Sequence, residues 1–190
     1  MRIFALGPGR SGSLTFAKAA AHLEGFTAGH ETGCKGIGDL FYPDNHIESD
    51  THLVWVLPAL MQKYPDAWYV ILHRNREDSV NSIANRRGAI AFRQIAFAGG
   101  GSREDAARSY YDFVHEYLNR ALPFSRTMTF PLEAGGDGFR TFCEYFHLPQ
   151  GGVSDGALEY ATRYNATEEK EHERPNPNPG TCPTEPGDPD

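Results

Sequence analysis

At 190 residues, 39% hydrophobic and 12% aromatic, the chain is long enough for one ordinary domain with a real core. A mean hydropathy of -0.52, and no run near the roughly 20 apolar residues of a membrane helix, predict that no membrane is involved. The net charge of -7 argues against a nucleic-acid partner while leaving room for a local basic pocket.

Arg2–Leu6 is a short apolar run ended by Gly7-Pro8-Gly9 and reads as a buried strand. After Gly12 the spacing of Leu14, Ala17, Ala20, Ala21 and Leu23 is helical, and Gly25 closes that helix. Thr27–Glu31 reads as a second short strand, and residues 33–45, with three glycines and Pro43, as a loop. Leu53, Val56, Leu57, Leu60 and Met61 predict a helix over 49–64, capped by Ser49 or Asp50 and kinked or broken at Pro58. Ala67–Leu72 is aromatic and β-branched and suits a central parallel strand covered on both faces. A helix should follow from Arg76 or Glu77 to about Arg86, then an amphipathic helix over 104–121, a strand at Thr127–Phe130 and a helix over Phe139–Phe146. Strands alternating with helices predict an α/β three-layer domain with a mostly parallel sheet.

The ordered domain is expected at 1–165. In 168–190 seven acids face only Lys170 and Arg174, and six of the 13 prolines gather there, so 166–190 reads as a flexible acidic tail. Cys34, Cys143 and Cys182 are odd in number and far apart, with no metal-ligand spacing. Together with the lack of a basic-then-apolar pattern in residues 1–25, they predict a reducing, cytoplasmic setting and no metal.

Two loops carry chemistry. Strand, Gly7-Pro8-Gly9-Arg10-Ser11-Gly12-Ser13, then helix is the layout of a phosphate cradle, in which turned backbone amides and a helix N-terminus meet an anion. The nucleotide triphosphatase version, GxxxxGK[ST], needs a lysine and a hydroxyl where Ser13 and Leu14 stand. The cation lies inside the loop instead, at Arg10. The second loop follows the central strand: Arg74 leaves its C-terminal end, and Ser82 lies eight residues on, about two helical turns into the next element.

Arg10-Ser11-Gly12-Ser13 resembles the 5′-phosphosulfate loop of the sulfotransferases that use 3′-phosphoadenylyl sulfate (PAPS), and Arg74 with Ser82 resembles their 3′-phosphate motif. The resemblance covers about 1–150, is nearest to the tyrosylprotein and bacterial small-molecule branches, and implies a P-loop-like fold. It implies that Gly9, Arg10, Ser11, Gly12, Ser13, Leu14 and Thr15 hold the 5′-phosphosulfate, with Arg10 also catalytic. Leu14 departs from the family's second threonine. Arg74 and Ser82 would hold the 3′-phosphate. Pro131-Leu132-Glu133 and Phe142–Pro149 resemble the family's late strand and helix, whereas its C-terminal RKGxxGDWK stretch has no counterpart.

The resemblance offers two general bases for a hydroxyl or amine acceptor. Glu31 ends the second strand twenty-one residues after Arg10, as in the tyrosylprotein and bacterial branches. His52 lies twenty-two residues before Arg74, as in the cytosolic branch, although Asp50 replaces that branch's lysine. Glu48 and Asp50 are lesser candidates, and His30 could orient Glu31. Tyr110, Tyr111, Phe113 and Tyr117 read as core, Arg86-Arg87 as helix-terminal cations or an anion contact, and Ala98–Ser102 as a loop over the site. A small-molecule kinase, or a binding protein that kept the fold, stands as the alternative.

Overall fold

The structure, a computed structural model, describes residues 1–33, 40–86 and 102–148. Five strands, β1 (Arg2–Leu6), β2 (Thr27–His30), β3 (His46–Ser49), β4 (Trp68–His73) and β5 (Thr127–Pro131), form one all-parallel sheet in the order β2-β3-β1-β4-β5. Alternate residues of the central strands enter opposite cores. Ile3, Ala5, Val70 and Leu72 face one side, and Phe4, Leu6, Tyr69 and Ile71 the other. Both faces are therefore apolar, which is why β1 and β4 read as unbroken apolar runs.

Helices α1 (Ser13–Ala20) and α5 (Gly135–Tyr145) cover the first face. Phe16 meets Phe130 and Phe142 edge-on, at 5.1 Å in each case. Helices α2 (Leu57–Lys63), α3 (Arg76–Asn85) and α4 (Arg103–Ala121) cover the second face through Leu60, Val80, Ile83, Tyr110, Val114 and Leu118. A reciprocal capping box between Ser102 and Asp105 starts α4. Cys143 packs in the first core, where burial pushes its thiol up to about 12.

Two elements differ from the sequence expectation. The strand His46–Ser49 lies between β1 and β2, in the gap between the expected loop at 33–45 and the expected helix start at Ser49. All four of its residues are buried, but only Ile47 is apolar, so hydropathy carried no strand signal. The expected helix over 49–64 is two pieces: a 3-10 helix, Thr51–Val56, capped by Asp50, and α2, with Pro58 in its first turn. A proline there forfeits no hydrogen bond, because first-turn amides have no intrahelical acceptor. The last helix starts four residues earlier than expected, at Gly135, since the glycines of its first turn hid the boundary. The expected tail, Cys34, Cys182, Arg87 and 98–101 lie outside the described residues.

Candidate active site

The C-terminal ends of β1, β2, β3 and β4 converge on one edge of the sheet, where open parallel sheets bind ligands. The loop after β1 turns through two left-handed residues, Arg10 at φ 72° and Gly12 at φ 86°. Glycine is needed at 12 for a second reason: a Cβ there would stand 2.5 Å from Leu132 Cδ1. Ser13, Leu14 and Thr15 form the first turn of α1, so their amides lack intrahelical acceptors and point out of the helix end. Ser11 is fully buried, and its hydroxyl has no hydrogen-bond partner among the described residues. Gly9 donates its N–H to Tyr110 Oη at 3.2 Å, and Ser13 Oγ lies 3.0 Å from His30 Nε2.

Arg10 brings the two predicted loops together. Its Nε donates to Ser82 Oγ on α3 at 2.9 Å, and Arg74 Nη1 approaches the Arg10 carbonyl at 3.5 Å. The two expected pockets are thus neighbours, spanned by one guanidinium. Tyr111 Oη donates to the Arg74 carbonyl at 2.7 Å, and Glu133 accepts the Asn75 N–H, so the turn is fixed from both sides. Asn75 in turn caps α3 by accepting from Glu77 N and Asp78 N.

Both candidate bases lie side by side. Glu31 Oε1 is 3.9 Å from His52 Nδ1 and 4.0 Å from His30 Nε2. Asp50, 1% exposed, lies 3.0 Å from His52 Nδ1 and accepts the His52 backbone N–H at 2.7 Å. A carboxylate only accepts, so Nδ1 carries the proton and Nε2 is left as the basic atom. Donor atoms of Glu31, Asp50 and His52 all lie within 4.8 Å of one another, close enough for one cation to bridge. His30 pairs with Ser13 rather than holding Glu31 closely.

Glu48 is not available as a base. It is fully buried; its Oε1 accepts from Thr32 N at 2.9 Å, and its Oε2 from Thr32 Oγ1 at 2.5 Å and His46 Nε2 at 3.0 Å. Burial alone would raise its carboxyl, but these donors outweigh it and hold the group below the usual carboxylate range. His46 is held from its other side by Thr27 Oγ1 at 2.8 Å. A Cβ on Gly29 would fall 2.3 Å from Glu48 Oε2, so the strand must be bare at that point. The network anchors the residue directly after Glu31, which itself sits at φ 55°. Sequence reading missed this support because the partners are scattered over 27–48; the buried His-x-Glu pair leaves no local signal. It also missed Tyr110 as a contact of the cradle.

The parallel five-stranded sheet with helices on both faces is similar in fold to a solved sulfotransferase. The solved structures contain a mouse sulfotransferase, SULT7A1, complexed with PAP. Its TM-score is 0.53 at 13% identity, covering 93% of this chain and 69% of that one. No protein-family model matches the chain, and no curated protein matches it in sequence.

Proposed function

We propose that the chain is a PAPS-dependent sulfotransferase acting on a hydroxyl or amine. The observation that carries this reading is the convergence of Arg10, Arg74 and Ser82 beside the Glu31–His52 pair at one sheet edge. The loop fits a 5′-phosphosulfate: its turn is bare at Gly12, its first-turn amides are unused, and the buried Ser11 hydroxyl has no partner among the described residues. The absence of a lysine at Ser13 weighs against ATP chemistry.

In the reaction, the acceptor oxygen or nitrogen bonds to sulfur while the bond from sulfur to the 5′-phosphate oxygen breaks. The bisphosphate leaves with that electron pair, and the acceptor's proton passes to a base. Arg10 and the loop amides neutralise the charge that builds on the bridging oxygen. Arg74 and Ser82 hold the 3′-phosphate, which selects PAPS over ATP. Glu31 is the proton acceptor of this reading; among the described residues its carboxylate makes only the two long imidazole contacts. One observation favours His52 instead: buried Asp50 fixes its Nδ1–H and leaves Nε2 basic.

Calorimetry with adenosine 3′,5′-bisphosphate and with ADP, each with and without magnesium, tests the cofactor. Metal-free binding of the bisphosphate, weakened roughly 10- to 100-fold in Arg74→Ala, is expected; preference for magnesium ADP would overturn the reading in favour of a kinase. Sulfuryl transfer by Glu31→Gln should fall by about 10²–10⁴. If His52→Asn carries that loss and Glu31→Gln does not, the base is His52.

A further inference from the structure

Ser13 opens α1, and its amide is among those left unused at the helix end. Its Oγ lies 3.0 Å from Nε2 of His30, the last residue of β2. The contact joins residues seventeen apart in the chain, and the sheet explains it. Along β2, Ala28 packs against the core that α1 covers, and His30, two residues on, faces the same side. The imidazole is thereby set against the first turn of α1, with its side chain 25% exposed.

The direction of this hydrogen bond decides what Ser13 can offer. A hydroxyl has one hydrogen and two lone pairs, whereas an imidazole nitrogen carries either a hydrogen or a lone pair. With Nε2 bare, the ring would accept the Ser13 O–H, and the oxygen would turn only lone pairs toward an anion. With the hydrogen on Nε2, the ring donates to Oγ, and the Ser13 O–H is released to donate elsewhere. The neighbouring carboxylate selects between the two. Glu31 Oε1 lies 4.0 Å from the same Nε2 and attracts a hydrogen there, so the donating tautomer is favoured.

We propose that His30 is a positioning residue: its Nε2–H holds the Ser13 oxygen as an acceptor and so aims the Ser13 O–H at the 5′-phosphosulfate in the cradle. This rests on the sulfuryl-transfer reading above. The ring sits beside the proton acceptor without serving it; Glu31 acts on His30 by setting its tautomer, and His30 acts on the anion through Ser13.

The test is calorimetry of the full chain with adenosine 3′,5′-bisphosphate, whose 5′-phosphate occupies the cradle in this reading. Ser13→Ala should weaken binding roughly tenfold, through loss of a hydroxyl–anion hydrogen bond. His30→Ala should weaken it about three- to tenfold. In His30→Gln the terminal amide N–H stands in for Nε2–H, so affinity should stay within about twofold of the unaltered protein. On the Ser13→Ala background, His30→Ala should add less than about a twofold loss, because the two side chains act as one unit. Unchanged affinity in His30→Ala, equal losses in His30→Ala and His30→Gln, or full additivity with Ser13→Ala each overturns the assignment and leaves the transfer reading standing. So does a fall in kcat in His30→Ala with bisphosphate affinity intact, which would make His30 a partner of Glu31. Failure of the bisphosphate to bind the unaltered protein removes the transfer reading, and the role of His30 with it.

Discussion

Replacing Glu48 with glutamine tests the claim that a buried carboxylate supports the catalytic edge. The side chain is fully buried and takes three hydrogen bonds, two from Thr32 and one from His46. An amide can satisfy one oxygen's worth of these donors, but its NH2 must then face either the Thr32 amide or the Thr32 hydroxyl and His46. Breaking a buried charged pair from one side costs about 3 kcal/mol. For a chain of this size that corresponds to a drop in Tm of about 6–12 °C. The wild-type carboxyl is held below its ordinary value, so its contribution is fully present above the unfolded carboxyl's value near 4.5 and is lost as pH falls through the lower folded value. Urea unfolding at pH 7 and at pH 3.5 measures both effects: a large deficit for Glu48→Gln at pH 7, shrinking at pH 3.5 as the wild type loses its own advantage. Thr32 adjoins Glu31, so sulfuryl transfer should also fall in the variant at temperatures where it remains folded. A variant within about 0.5 kcal/mol of wild type at pH 7 would refute the account.

Gly12→Ala should destabilise by at least about 2 kcal/mol, combining left-handed strain with a clash on Leu132. Gly25→Ala is its control, since φ there is 78° but nothing lies within 4 Å; equal losses in chemical denaturation would contradict the packing argument. His115 Nε2 is buried with no hydrogen-bond partner among the described residues, and burial, reinforced by His73, pushes the ring down to about 4. The unfolded chain therefore takes up this proton first, so stability should fall between pH 6.5 and 4, and His115→Phe should flatten that slope in urea midpoints. A His115 ring resonance titrating near 6.5 in NMR would refute the assignment.

Physical pattern made the cradle legible. A strand needs a run of residues, a phosphate turn needs glycines at fixed offsets, and a guanidinium at a strand end needs only one position. The Gly7–Ser13 cradle is local and could be read directly, whereas Arg74 and Ser82 were singled out by their resemblance to a sulfotransferase motif. β3 escaped because three of its four buried positions, His46, Glu48 and Ser49, are polar, the first two made tolerable by partners on β2 and the following turn. Asp50 and His52 read correctly as a helix start, but without that strand nothing showed that this helix start is delivered beside Glu31.

The chain's order of residues determined an α/β sheet, its apolar central strands and the anion-seeking first loop, because each follows from spacing over a few residues. Only the packed structure decided that Arg10 reaches Ser82, that Asp50 orients His52, that Glu48 braces the turn after Glu31, and that His30 reaches Ser13. All of these pairs except Asp50–His52, which share one helix cap, join different strands, helices or turns, and what a side chain touches across a fold depends on register and helix placement, which local propensity does not encode.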